Sequence, residues 1–204
     1  MFLRVDIDFP YSRQIQNYLN LIFGLKFRDY LNNAKALCKL LNEYGSSATW
    51  FPTILTPPDK ELLDLIDAGR HEIGCQVIWH QKEIEKLQRR IKKEIRFFVI
   101  HGTSGLINKI LWRRLTQPSI KSNKVLRLGS DVEFDKLCYL HSPNTILRIF
   151  KERLKEEAII ITHPTYLNRR SILSKKGPTF ETFHLLLKNG IRFEKVNLSR
   201  LAVR

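Results

Sequence analysis

Read for its spacing of apolar and polar residues, the chain alternates between two periods almost from end to end. Short runs such as FLRVDI, SATWFP, HEIGCQVI, RFFVIH and AIIITH are apolar over most of their length and predict buried strands. Between them lie longer segments with apolar residues three and four apart. In DYLNNAKALCKLLNEYG, Leu31, Ala34, Leu37, Cys38 and Leu41 share one helical face, and Gly45 is the stop. PDKELLDLIDAG predicts a helix capped by Asp59 and ended by Gly69. KEIEKLQRRIKKEI places Ile84, Leu87, Ile91 and Ile95 on one side, with its many cations on a solvated outer face. SGLINKILWRRL, NTILRIFKERLKEE and TFETFHLLLKNG predict three more helices, and RFEKV a last strand. From Thr116 to Pro143 the pattern is irregular, with short strands expected at KVLRLG and KLCYLH.

Strands that are apolar throughout, separated by amphipathic helices, argue for a parallel sheet covered by helices. Seven or eight such units predict an α/β fold, either a compact (β/α) barrel or a doubly wound sheet. The length of 204 residues suits one domain over 1–204, and no repeat or linker interrupts it. Three scattered cysteines (Cys38, Cys75 and Cys138) suggest reduced thiols rather than a disulfide framework. Charges at Arg4, Asp6 and Asp8 argue against a signal peptide, and no apolar run is long enough to span a bilayer. The expectation is a soluble cytoplasmic protein that does not enter a membrane. The formal charge of +15 changes the picture more, because it implies an anionic partner or a strongly basic solvated surface.

In either α/β architecture, chemistry gathers at the carboxyl ends of the strands. There the chain carries Asp6 and Asp8, Gln76 and His80, His101, and His163. Asp6 and Asp8 are two apart on a strand and share a face. Two carboxylates so close repel unless a cation or a proton relieves them. Alternative readings are a surface acid pair, and histidines that only bond a loop. His101 opens HGTSG, where backbone N–H groups at a helix start suit an anion, or where Ser104 is simply an N-cap. His71 falls at the start of its strand, on the opposite rim, and reads as structural.

LLNEYGSSATWFP followed by ELLDLIDAGRHEIGCQVIWH, with IIITHP late in the chain, resembles the polysaccharide deacetylases, carbohydrate esterases of family 4 that remove acetyl groups from chitin-like and peptidoglycan-like sugars. The resemblance runs in order from Leu3 to about Gly190, and HEIG is its most specific part. It implies a distorted, seven-stranded (β/α) barrel resembling a TIM barrel. It also implies a metal-dependent hydrolase of carbon–nitrogen, non-peptide bonds acting on an N-acetylated sugar. Carried over, Asp6 is the general base and His163 the general acid. Asp8, His80 and Gln76 are the ligands of a divalent metal, expected to be zinc. Gln76 stands where the family has a histidine, Ile7 separates two aspartates that the family has adjacent, and the family's Arg-x-Pro-Tyr motif is not found. A neutral amide oxygen is a poorer zinc ligand than imidazole.

His101, Arg169 and Arg170 are the expected substrate contacts, the two arginines lying in LNRRSILSKKG just after His163. The expected partner is an acetylated or anionic carbohydrate. One rival reading is a degenerate family member that binds an anionic glycan or sugar phosphate without turnover. Another is a basic nucleic-acid-binding module, which ranks last because no RNA- or DNA-binding motif supports it. Oligomeric state, substrate identity and the division of roles between Asp6 and Asp8 stay open at this stage.

Overall fold

The computed structural model describes residues 1–7, 31–77, 82–100, 126–127, 130–164 and 179–197. In chain order the elements are β1 (Phe2–Ile7), α1 (Asn32–Glu43), β2 (Thr49–Pro52), α2 (Lys60–Ala68), β3 (Glu72–Ile73), β4 (Cys75–Val77), α3 (Lys82–Ile91) and β5 (Phe97–Ile100). They continue with β6 (Leu126–Arg127), β7 (Val132–Glu133), α4 (Phe134–Leu140), α5 (Pro143–Glu152), β8 (Ile159–Thr162) and α6 (Thr179–Lys188). Every strand pairing among the described residues is parallel. One sheet has the order β3-β2-β1-β8-β7 and the other β4-β5-β6.

The expected distorted, seven-stranded (β/α) barrel is therefore borne out only in part. If 72–77 counts as one interrupted strand, seven strand positions are present, but among the described residues no pairing joins β6 to β7. Gly74 is where the ladder passes from the first sheet to the second. A Cβ there would stand 2.2 Å from the Phe51 ring, closer than any side chain permits, so the break needs glycine.

Side-chain alternation divides the strands into two faces. Leu3, Val5 and Ile7 of β1, Trp50 of β2, Cys75 and Val77 of β4, Phe98 of β5 and Ile160 of β8 enter the large core beneath the helices. Phe2, Phe51, Phe97, Val99, Ile159 and Val196 form a second cluster on the inner face, and it joins strands of both sheets. Inner positions of β1 then read Phe2, Arg4, Asp6, so an apolar base gives way to charge toward the carboxyl end.

Helix boundaries follow local chemistry. Asp59 accepts a hydrogen bond from the Leu62 N–H at 2.9 Å and caps α2 as expected. Ser142 does the same for α5 through the Thr145 N–H, with Pro143 in the first turn. Two expectations fail. KLCYLH is not a strand but most of α4, because Phe134 and Cys138, four apart, are both buried on one helical face. A four-residue apolar run does not by itself distinguish strand from helix. RFEKV contributes only a parallel bridge between Phe2 and Glu194.

An aromatic cluster fixes α4. Phe134 lies 4.1 Å from Phe183 between ring centroids and meets Phe150 edge-on at 5.8 Å. Phe193 closes the group against Phe150 and Phe183. Each fully buried ring contributes on the order of 1.5–3 kcal/mol. The cluster holds α4 against α5 and α6, and thereby sets where the first turn of α4 points.

Candidate functional site

At the carboxyl end of β1 the inner face carries an ion pair. Arg4 donates from Nε to Asp6 Oδ1 at 2.8 Å and from Nη2 to Asp6 Oδ2 at 2.6 Å. Both residues are buried, at 6% and 2% exposure. The guanidinium also sits over the Phe51 ring, 5.6 Å from its centroid. Two parallel bonds fix the carboxylate plane as a single bond cannot. Removing one member of such a pair strands a buried charge, at a cost of about 3–5 kcal/mol.

The carboxyl end of the adjacent strand carries a second pair. His163 follows β8, and its Nδ1 lies 2.7 Å from Asp135 Oδ2. That oxygen also accepts the backbone N–H of His163 at 2.9 Å, while Asp135 Oδ1 accepts the Thr162 hydroxyl at 2.9 Å. Asp135 stands in the first turn of α4, where the phenylalanine cluster holds it. An ionised carboxylate can only accept, so Nδ1 carries the proton and exchange with another molecule falls to Nε2. Val5 pairs with Thr162 in the β1–β8 ladder. Asp6 and His163 are the residues that follow this pair, each at the carboxyl end of its strand.

The surrounding rim is tied down by side chains reaching to backbone. Thr56 donates its hydroxyl to the Ile7 carbonyl at 2.7 Å, and Asn33 donates from Nδ2 to the Pro164 carbonyl at 3.0 Å. Thr53 and Thr56 bond to each other at 2.8 Å and stiffen the turn after β2.

Of the sequence-predicted residues, Asp6 lies at the carboxyl end of β1 and His163 directly after β8, the strand that pairs with β1. Gln76 lies in β4 at 1% exposure and, between Cys75 and Val77 of the outer core, belongs to the inner face. Asp8, His80, His101, Arg169 and Arg170 lie outside the described residues. Sequence reasoning missed Arg4, Asp135 and Thr162. The alternation argument used for Asp6 and Asp8 applies equally to Arg4 and Asp6. Asp135 gave no usable signal, because its stretch read as irregular.

The described donors do not make a divalent-cation site. Gln76 offers a neutral amide, both oxygens of Asp6 are engaged by Arg4, and no group of three or more acidic, histidine or cysteine side chains is placed to hold a metal among the described residues. Thiol chemistry is disfavoured too. All three cysteines are buried, and burial pushes the Cys38 and Cys138 thiols up to about 12 and Cys75 upward as well, so none is a thiolate at neutral pH.

The opposite rim behaves differently. His71 Nδ1 accepts the Ala48 N–H at 2.8 Å, so the ring proton is on Nε2, which donates to Asn42 Oδ1 at 2.7 Å. Gly69 makes room for this contact, since a Cβ there would fall 1.8 Å from Asn42 Oδ1. Desolvation first, then the Lys195 charge, pushes the ring down to about 4, while the bond from Ala48 acts the other way. His71 is therefore a neutral structural residue, as its strand position predicts. A cavity of about 620 Å³ opens beside it, lined by acids and bases together, among them Glu72, Lys93, Arg96 and Lys195. It lies at the amino ends of the strands, away from Asp6 and His163.

No protein-family model matches the sequence, and no curated protein does. Solved structures do match. The peptidoglycan deacetylase PdaC from Bacillus subtilis is 14% identical with a TM-score of 0.54, the match covering 99% of this chain and 89% of that one. A family 4 acetyl xylan esterase from Clostridium thermocellum, solved with a cobalt ion, is 15% identical with a TM-score of 0.52, covering 99% and 89%. The fold is that of the family 4 carbohydrate esterases. A CE4 family pseudoenzyme from Bacillus anthracis matches as well, 14% identical with a TM-score of 0.51 over 96% of this chain. The chain spans about 63% of the length of that protein. At these identities the likeness carries the fold alone. No helix among the described residues is long and apolar enough to cross a membrane.

Proposed function

We propose that the chain, read as one catalytic domain over 1–204 with a barrel-like architecture, is a hydrolase of carbon–nitrogen, non-peptide bonds that removes the acetyl group from an N-acetylated sugar. The observation that supports this best is that two differently held proton-transfer groups stand at the carboxyl ends of paired strands. Asp6 is a carboxylate fixed in plane by Arg4, and His163 is an imidazole fixed in one tautomer by Asp135. Asp6 takes a proton from the attacking water as the new C–O bond forms. His163 acts from its imidazolium form, paired on Nδ1 with Asp135: it gives its Nε2 proton to the sugar nitrogen as the C–N bond breaks, leaving acetate, the free amine and a neutral ring with its proton on Nδ1. Arg4 and Asp135 do no chemistry themselves; they hold the two groups in geometry and charge state. Because Asp6 is engaged by Arg4, the base role falls to it, and any metal-ligating role falls to Asp8 with His80. His101, Arg169 and Arg170 remain the proposed substrate contacts.

The experiment is acetate release from N-acetylglucosamine oligomers and peptidoglycan fragments, for wild type, His163→Gln and Asp6→Asn, with and without added zinc or cobalt. General acid–base groups contribute about 10²–10⁴-fold each, so each variant should lose about 10³ in kcat/KM. Asp6→Asn also unpairs Arg4 and lowers stability, so His163→Gln is the cleaner arm. Wild type releasing no acetate under any condition, or His163→Gln at full activity, would sink the proposal. A second reading, a glycan-binding member without turnover, is favoured by Gln76 alone. It predicts oligosaccharide binding that survives both substitutions.

A further inference from the structure

The carboxylates that are not exposed among the described residues are Asp6, Glu72, Glu83 and Asp135. Asp6 is held by Arg4, Asp135 by Thr162 and His163, and Glu83 is partnered too. Glu72 stands apart: its side chain makes no hydrogen bond or ion pair, and it lies half-buried in the wall of the cavity at the amino rim. Taking a carboxylate out of water with no bond to replace its hydration is costly. That burial pushes the Glu72 carboxyl upward; the charges of Lys195 and then Arg96 pull it back, and Glu94 adds to the rise. Lys195, on the same cavity wall, acts from beyond ion-pair distance and has no ion pair of its own. The other charged groups of the wall are engaged, Lys93 with Asp67, Arg96 with Glu94, and Glu194 as well. Both nitrogens of His71 are taken by Ala48 and Asn42. The Glu72 N–H donates to the Ala48 carbonyl at 3.0 Å and the Lys195 N–H to Ser47 Oγ at 2.9 Å, so consecutive residues ahead of β2 fix the backbones that carry the opposite charges. Ile66, Ile73, Phe97 and Val196, all buried, give the same cavity an apolar lining.

We propose that this cavity binds a small zwitterion, an α-amino acid or dipeptide with an apolar side chain. Its ammonium meets Glu72, its carboxylate meets Lys195, and its side chain lies against Ile66, Ile73, Phe97 and Val196. The volume of about 620 Å³ falls within the range of about 300–1,000 Å³ usual for small-molecule sites. An ammonium brings three donors to a carboxylate that has none, and bonds between ionised partners are the strong ones. A simple amine would leave Lys195 unanswered, and a simple acid would leave Glu72 desolvated and bring a second negative charge toward it. Nothing in this depends on the carbohydrate reading of Asp6 and His163, which stand at the other end of the strands.

The test is calorimetric titration of the full chain with leucine and leucyl-leucine, and with the N-acetylated and C-amidated form of each, which lack the ammonium and the carboxylate in turn. Wild type should bind at least one of the two zwitterions, and each of its blocked forms about tenfold more weakly or worse. Glu72→Gln should weaken the zwitterion by about tenfold and the N-acetylated form by less than about threefold, because that form has no ammonium to lose. Lys195→Gln should give the mirror pattern, sparing the amidated form. The unfolding temperature of Glu72→Gln should stay level or rise, since a desolvated charge without a partner is removed. A fall would mean that the charge is already satisfied within the fold, and would overturn the proposal. Wild type binding neither zwitterion at about 10 mM, blocked forms binding as tightly as their parents, or both variants binding like wild type would also overturn it. Tighter binding of an amidated form would make the cavity a cation site and would overturn it equally. None of these outcomes involves acetate release, so failure here leaves the test of Asp6 and His163 intact.

Discussion

Two histidines, one buried and one half-buried, stand at opposite rims of the same sheet and are held in opposite ways. His163, at the carboxyl rim, has an anion on Nδ1. His71, at the amino rim, has a backbone N–H on Nδ1 and an amide oxygen on Nε2. An anion on one ring nitrogen leaves the other able to gain and lose a proton, and it partners the charge when it comes. A ring nitrogen that accepts from a backbone N–H cannot be protonated without breaking that bond. The same side chain is thus equipped for proton transfer at one end and made a fixed strut at the other. The difference lies in the partner, not in burial, for both are largely shielded.

The comparison breaks most visibly under acid. His71 is carried from 6.5 down to about 4 on folding. At about 1.4 kcal/mol per tenfold in proton affinity, that difference is worth about 3 kcal/mol. Between these two values the unfolded chain binds the proton and the folded chain does not, so stability rises with pH across the window. The contribution is complete above 6.5 and falls away as pH drops to about 4. Chemical denaturation at pH 7 and at pH 4.5 for wild type and His71→Gln checks it. The variant should be less stable at pH 7, and its loss on going to pH 4.5 should be smaller by about 2–3 kcal/mol. Equal losses in the two proteins would show that the ring is not held neutral.

The second test sharpens the other half of the comparison. Asp135→Asn keeps the shape and removes the anion. An amide in that place can present its NH₂ to Nδ1 and so favour the opposite tautomer, with the proton on Nε2. If the deacetylase reading holds, kcat should fall about 100-fold with KM changed less than threefold, and Asp135→Glu should restore part of it. A purely structural aspartate would give a lower unfolding temperature with kcat unchanged. Phe134→Ala offers a milder route to the same end, because it loosens the aromatic support of Asp135 without touching its charge.

Which of these features could be read from the chain depends on how local their causes are. Strands such as IIIT and FFVI, and the helix faces of α1, α2 and α3, are set by spacing within a dozen residues, and they emerged as expected. The Asp59 cap and the structural role of His71 were legible for the same reason. Asp135 and His163 are 28 residues apart and meet only through the two-residue strand β7 and a seven-residue helix. Neither is long enough to declare its period, and both fall in the stretch that read as irregular. The order of strands in the two sheets is likewise a long-range property that no local spacing carries.

Gln76 gives the smallest effect and the finest distinction. It lies on the inner face at the strand end nearest the start of α3, where the deacetylase-like pattern expects an imidazole. Amide oxygen and imidazole nitrogen differ in softness and basicity, and zinc prefers the nitrogen. Gln76→His should therefore tighten zinc binding by about tenfold, worth about 1.4 kcal/mol, measured by competition with a chromogenic chelator. The gain should vanish in Gln76→His with His80→Ala, because a single imidazole lacks its partner ligand. An unchanged zinc affinity in Gln76→His would mean that position 76 does not face the ligands expected at Asp8 and His80. The proton-transfer pair at Asp6 and His163 would then stand apart from any metal, with Arg4 as its nearest fixed positive charge.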